Sequence, residues 1–287
     1  MNKVKIKTNY IYNKNGKEKV IFHMADIHFS NNTKESLFRK ILEKVYDIKP
    51  DYIMITGDLI DQPSITKDRI RIKKFVNFLS CMGDVSKVLI SIGNHDAYDD
   101  DDLKFFKKIN ELKNIYVLDN NKYVDDYIYA YGITLPSEYY YNISGKEDVN
   151  TLLKILKKNY RMISNLPGNL VHVCLCHSPI CLGLRDVQER LKEFDLVLSG
   201  HMHNGMVTPF VSKFGGHWGL IDPPKKLFPR ICRGRVKLRN YDLIITPGIT
   251  KLSIRSARIF SSLNFIYNID IDKIILTNRK GRFYGKN

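Results

Sequence analysis

The stretch SGHMHNG, residues 199–205, follows the largely apolar run 194–198 and sets two histidines one residue apart between glycines. Alternate residues of a strand face one side, and a tight turn after a strand can likewise aim two rings at one point. Neutral imidazole is the commonest nitrogen ligand for transition metals, so His201 and His203 are candidate ligands. An isolated His-x-His is more often a pair of surface turn residues. The decision rests on what the other strand ends carry.

Four further apolar runs end in the same chemistry. MADIHFS (24–30) carries Asp26 and His28, and TGDLID (56–61) carries Asp58 and Asp61. SIGNHDAY (91–98) carries Asn94, His95 and Asp96, and VHVCLCHSP (171–179) ends in His177. With the opening heptad, five of the eight histidines, His28, His95, His177, His201 and His203, stand at or just after such a run's end. In open α/β sheets, ligands bind beyond the carboxyl ends of strands, so residues scattered over 26–203 can converge there. Mixed His, Asp and Asn suits Mn, Fe, Zn, Co or Ni, rather than the all-oxygen sites of Ca and Mg or thiolate clusters. Asp26, His28, Asp58, Asn94, His177, His201 and His203 make seven candidates, enough for two ions if one carboxylate bridges them. Two metals roughly 3.5–4 Å apart are the usual arrangement for cleaving phosphate esters.

Between these ends the chain alternates strand and helix. Strands are expected at 20–23, 52–56, 88–92, 170–176 and 196–198, and helices at 33–47, 70–82, 103–112 and 150–163. Thr33 is the expected cap of the first helix, with Pro50 beyond its end. Runs 116–118, 123–124 and 127–131 read as strands of a more antiparallel region. The chain finishes strand-rich at 243–246, 265–271 and 273–277. This alternation predicts an α/β fold. Residues 204–240, rich in Gly, Pro and basic side chains, read as an insertion or lid.

With 287 residues, 44% of them hydrophobic, the chain can bury a substantial core. Its formal charge of +16 favours anionic partners without choosing among them. Five cysteines with no Cys-x-x-Cys pair argue against both a disulfide framework and a thiolate zinc site. Cys174 and Cys176 read as buried thiols of a reducing compartment. No run approaches the ~20 apolar residues of a membrane span. The expectation is a soluble, cytoplasmic protein, with peripheral contact to an anionic membrane as a further expectation.

The ordered series Asp-x-His, Gly-Asp-x-x-Asp, Gly-Asn-His-Asp, a lone His and Gly-His-x-His resembles the calcineurin-like metallophosphoesterase family. The resemblance spans residues 26–203, and the strands around 243–277 are similar to the family's closing strands. It implies one calcineurin-like domain over 1–287, built as a four-layer α/β/β/α sandwich of two mixed sheets with flanking helices. It implies two divalent or mixed-valence transition-metal ions. Asp26, His28 and His203 would hold one, Asn94, His177 and His201 the other, with Asp58 bridging. His95 would sit beside the metals without ligating either, oriented by Asp96. GHMHNG is similar to the GHTHGG of small bacterial phosphoesterases, often membrane-associated, from which Met202 and Asn204 depart.

The implied function is hydrolysis of phosphomono- or phosphodiesters, with amphiphilic or membrane-surface substrates among the candidates. A water shared by two cations loses its proton near neutral pH and attacks phosphorus. His95, with Asp96 favouring its protonated form, is the expected general acid. A nuclease of the same family is the first alternative and is supported by charge, but no recognition motif favours nucleic acid. A non-catalytic metal-binding scaffold is the second, and it should have lost ligands, which this chain has not.

Other features call for plainer readings. Asp61 is expected to orient a loop or a ligand, and residues 99–102 to lie at a helix start, where carboxylates meet the positive end of the dipole. His23 and His172 are expected inside strands, and His217 in a loop. Residues 139–141 (YYY) would rim a cleft or sit half-buried. Residues 223–258, with ten Lys or Arg against one Asp, would be a phosphate- or membrane-facing patch or solvated surface.

Overall fold

β-branched and aromatic runs become strands, and apolar stripes at helical spacing become the helices between them. The computed structural model describes residues 3–278 apart from 14–15, 62, 97–99, 141–142, 144, 161–165, 209, 211–215, 223–226 and 252–265. The first half runs β1 (Val4–Tyr12), β2 (Lys19–Met24), α1 (Glu35–Ile48), β3 (Tyr52–Thr56), α2 (Arg69–Val85), β4 (Lys87–Ser91), α3 (Asp100–Asn110) and β5 (Ile115–Leu118). The second runs β6 (Lys122–Val124), β7 (Ile128–Ile133), α4 (Gly145–Tyr160), β8 (Val171–Cys176), α5 (Arg185–Arg190), β9 (Leu196–Ser199), β10 (Gly234–Lys237), β11 (Asp242–Ile245) and β12 (Ile269–Thr277).

Two six-stranded sheets result, ordered β1-β12-β2-β3-β4-β5 and β10-β11-β9-β8-β7-β6. In the first, β2 to β5 run parallel and β12 pairs antiparallel with β2. In the second, β11, β9, β8 and β7 are parallel, and β10 and β6 close the edges antiparallel.

Strand alternation sorts the side chains into three cores. Met54, Leu89, Val173, Leu175, Leu198 and Ile244 fill the space between the sheets. Ile53, Ile55 and Val88 face the other way, onto Phe38, Phe75 and Phe105 of α1, α2 and α3. Cys174, Val197 and Tyr131 face Leu152 and Val187 of α4 and α5. Helices, sheet, sheet, helices: the four layers are those expected.

The differences from the sequence reading are local. β1 is not among the expected strands; its exposed Lys5 and Lys7 hide the pairing with β12. The two strands expected at 265–271 and 273–277 are one strand from Ile269, because Asp272 is buried and accepts from Asn9 Nδ2 at 2.9 Å rather than marking a turn. Of the region expected to be antiparallel only β6 is so, since β5 and β7 continue the parallel order of β4 and β8. α1 begins at Glu35 with Lys34 at the cap, and the Thr33 hydroxyl accepts from Ser30 N instead. α2 is capped conventionally: the Asp68 carboxylate accepts from Ile70 N and Arg71 N. Within 204–240, Gly234–Lys237 forms the edge strand β10. No helix among the described residues is long and apolar enough to cross a membrane.

Candidate metal centre

The carboxyl ends of β2, β3 and β4 from one sheet and β8 and β9 from the other open toward one place. The loop after β2 runs beside the loop after β3, with Asp26 N donating to Gly57 O (3.1 Å), His28 N to Asp58 O (3.0 Å) and Phe29 N to Leu59 O (2.7 Å). Asp58 Oδ1 accepts from His95 N at 2.8 Å, tying in the loop after β4. Across the sheets, His201 N donates to both Asp26 carboxylate oxygens, at 3.2 and 3.1 Å. The fit is close enough to demand glycine: a Cβ on Gly93 would collide with the Asp58 carboxylate, and one on Gly248 would lie 2.8 Å from Asp26 Oδ2.

Four histidines are turned by an acceptor behind each ring. His28 Nδ1 faces Asp61 Oδ1 at 3.0 Å, and His177 Nδ1 faces Thr56 O at 2.6 Å. His201 Nε2 faces Tyr140 O, and His203 Nδ1 faces Thr250 O, both at 2.9 Å. An acceptor there places the N–H on that nitrogen and directs the opposite nitrogen inward. His28 Nε2 lies 3.5 Å from Asp58 Oδ2, His177 Nε2 3.2 Å from the same oxygen, and His203 Nε2 3.8 Å from Asp26 Oδ1. His201 Nδ1 is 3.2 Å from His177 Nε2.

Two wholly buried groups of donors emerge, beside a third formed by His28, Asp61 and His95. Asp26, His28, Asp58 and His203 bring ligand atoms within 4.8 Å of one another, as do Asp58, His177 and His201. Asp58 belongs to both. All six side chains are buried. Burial of so many ionisable groups is costly unless charge is balanced, and inward-facing imidazoles with carboxylates form a donor set that fits a transition-metal cation.

The protonation equilibria bear the mark of this crowding. Burial alone would lower His177, but the Asp58 carboxylate outweighs it and lifts the imidazole to about 9. Burial opposes ionisation of Asp58 too, yet the charges of His177, His95 and His28 hold it well below the usual carboxylate range. His201 is pushed well below the ordinary histidine value by burial and by the neighbouring His177. His203 is lowered chiefly by burial.

His95 is half-buried at the edge of the cluster, its ring 4.9 Å from that of His28. Asn94 precedes it in the same turn and is also half-buried. The carboxylate beside His95 is not Asp96 but Asp61, whose Oδ1 lies 3.6 Å from His95 Nδ1. Asp96 is wholly buried, and its oxygens accept from Leu59 N (2.7 Å), Ile60 N (3.2 Å) and Gly93 N (2.8 Å). It knits the β3 and β4 loops together; burial, aided by the Asp58 charge, lifts it to about 7. The neighbouring Gly-Asn-His-Asp residue thus serves the backbone, and the more distant Asp61 serves the rings.

The remaining polar residues divide between structure and surface. His23 is buried against Thr56 Oγ1 at 2.9 Å, and burial lowers it to about 3. His172 bridges Glu193 O and Pro167 O, and His217 Nδ1 binds Arg233 O at 2.6 Å. Asp100–102 form the first turn of α3, while Asp99 lies outside the described residues. Tyr139 and Tyr140 are buried rather than half-exposed, because Tyr140 reaches Ile92 O with its hydroxyl and His201 with its carbonyl; Tyr141 lies outside the described residues. Not all of the basic run 223–258 is surface. Arg233 is buried against Asn204, and Lys251 is buried against Asp270 at 3.0 Å; residues 223–226 and 252–258 lie outside the described residues. Four of the five cysteines are buried thiols.

Comparison with known proteins agrees with the geometry. Residues 19–205 match the calcineurin-like phosphoesterase family, and the chain belongs to it. An uncharacterized metallophosphoesterase of Campylobacter jejuni is 29% identical over 199 residues, which are 68% of this chain and 46% of that protein. One from Helicobacter pylori strain J99 is 29% identical over 208 residues, 72% of this chain and 50% of that protein. The chain therefore spans about half the length of these curated relatives. A solved crystal structure 14% identical superposes with a TM-score of 0.50, covering 81% of this chain and 91% of its own, which supports the fold.

Proposed function

We propose that residues 1–287 act as one catalytic unit that hydrolyses phosphomono- or phosphodiesters with two transition-metal ions, among Mn, Fe, Zn, Co and Ni. The observation that carries this reading is the arrangement of four buried histidines, each backed by an acceptor and turned toward two buried carboxylates. Asp26, His28 and His203 would hold one ion, and Asn94, His177 and His201 the other, with Asp58 common to both. Such a pair of cations offsets the negative charge of a phosphoester and makes water acidic enough to attack near neutral pH.

The chain's own residues supply the rest. Asp61 is hydrogen-bonded to His28, fixing that ring, and sets its carboxylate 3.6 Å from His95 Nδ1. His95, beside the cluster and less deeply buried than the candidate ligands, is placed to donate a proton to the leaving oxygen through its imidazolium. Asp96 keeps the loops carrying Asp58 and His95 in register. Residues 204–208, which continue directly from His203, would border the site as part of a lid.

The test is hydrolysis of bis-p-nitrophenyl phosphate and p-nitrophenyl phosphate by metal-stripped protein, with Mn, Fe, Zn, Co and Ni restored singly and His201→Ala as control. Metal-restored turnover missing from the control is expected, and the ratio of the two esters assigns monoester or diester preference. A chain that binds no metal refutes the reading, while one that binds two ions without turnover is a scaffold.

A further inference from the structure

Five of the thirteen exposed large apolar side chains among the described residues fall within residues 218–231. They are Trp218, Ile221, Leu227, Phe228 and Ile231, and Leu227 and Phe228 are 64% and 68% exposed. They lie in or beside two short antiparallel-paired segments, 219–221 and 227–229. Gly219 N donates to Pro229 O and Phe228 N to Leu220 O, both at 2.9 Å, and Ile221 pairs antiparallel with Leu227.

The first of these segments is fixed to the metal-site loop. Leu220 N and Ile221 N both donate to Gly205 O, at 2.8 and 3.2 Å. Gly205 and Gly219 touch backbone to backbone, so that neither position accepts a side chain. Arg233 Nη1 binds Asn204 O at 3.0 Å. A rigid base therefore presents apolar side chains that the fold does not cover, a grouping soluble surfaces rarely show without a partner.

Charge selects the partner. Residues 216–240 contain seven Lys or Arg and one Asp. That acid, Asp222, is buried, whereas Arg230 is exposed beside Ile231, and Lys237 and Arg239 are exposed but ion-paired with Asp242 and Glu189. Indole and aliphatic side chains beside exposed cations match a lipid interface, where the former enter the headgroup–acyl boundary and the latter meet anionic headgroups. Nucleic acid would use the cations but has no place for Ile221, Leu227 and Ile231.

We propose that the paired segments 219–221 and 227–229, with Trp218 and Ile231 beside them, dock on an anionic bilayer. Because the first segment is bonded to the residues after His203, docking brings the candidate metal centre to the membrane surface, where an amphiphilic phosphoester would be presented to it. This substrate consequence rests on the hydrolase reading; the docking itself does not.

Trp218 is the only tryptophan, so the full chain carries its own probe. The experiment is co-sedimentation and Trp218 emission with phosphatidylcholine vesicles, with and without phosphatidylglycerol, and with random duplex DNA as competitor. The expected result is binding to the anionic vesicles with a blue shift. Binding should fall about tenfold or more in the doubly substituted Leu227→Asp, Phe228→Asp protein, whose thermal midpoint should match that of the parent because both residues are exposed. Absence of a blue shift, or equal vesicle binding by the double variant, overturns the proposal. Binding to DNA that the double variant loses in parallel would assign the patch to nucleic acid and overturn it as well. Vesicle binding is read without turnover, so a failed hydrolase assay leaves this result standing, and a failed vesicle assay leaves the hydrolase reading standing.

Discussion

The β1–β5 sheet meets the cleft mainly with carboxylates, the β6–β11 sheet only with imidazoles, and the two sets are held by different means. Asp26 and Asp58 accept backbone N–H groups from His201 and His95, each on another loop. His177, His201 and His203 lean on the carbonyls of Thr56, Tyr140 and Thr250. Main-chain donors and acceptors belong to every residue, so no side-chain substitution deletes them. His28 is the exception: among the imidazoles only it is backed by a side chain, the Asp61 carboxylate. The cluster is therefore tolerant where backbone supports it and vulnerable at the His28–Asp61–His95 corner.

The strongest way to break this contrast is at the residue both donor groups share. Asp58→Ala should lower metal-dependent turnover by about 10³-fold or more and reduce bound metal, read by assay and by elemental analysis. Full metal content with full turnover would remove Asp58 from the site. Next comes the corner itself. Asp61→Asn should cost about 10–100-fold in turnover or metal affinity and alter the limb of the pH profile belonging to His95. Asp96→Ala should act first on stability, by about 3 kcal/mol or more, since three buried N–H groups lose their acceptor. A pH profile moved by Asp96→Ala and untouched by Asp61→Asn would reverse the two roles.

The smallest effect sharpens the comparison away from the cleft. The β1–β5 sheet also buries Asp272, paired with Asn9, and burial lifts this carboxyl to about 6. Its native value lies above the unfolded value of about 4, so the native state holds the proton more tightly. That stabilisation is complete below about pH 4 and is lost as pH rises through about 6, a span worth about 3 kcal/mol for a fully buried group. Asp272→Asn should flatten the dependence of unfolding free energy on pH over this window, measured by urea melts at pH 4, 5, 6 and 7. An unchanged slope would place the titration elsewhere.

Much of this was legible in the residues. β3 is the expected 52–56 to the residue, and β2, β4, β8 and β9 come within a residue or two, because buried parallel strands are continuous apolar runs. The candidate ligands could be read because each follows such a run. What escaped had no local signal. β1 pairs with a strand more than 250 residues away and shows solvent its lysines. The carbonyls behind the histidines have no residue identity. Asp96 stands next to His95 in sequence but points at the β3 loop, and that choice depends on how two loops pack. Lys251 reads as surface because its partner Asp270 lies on another strand.

Asp26, His28, Asp58, His201 and His203 all take positive φ, between 45° and 68°. Side chains other than glycine reach this region at a cost of about 1–3 kcal/mol each. Five such residues together approach the net stability of a whole domain, about 5–15 kcal/mol. Glycine or asparagine would suit these backbone angles better, so the side chains that stand there trade robustness for readiness. In the reading proposed above, metal supply then governs how much folded protein a cell keeps. Chain made under metal starvation would be cleared faster than chain made in metal-replete cells, with no change in its synthesis.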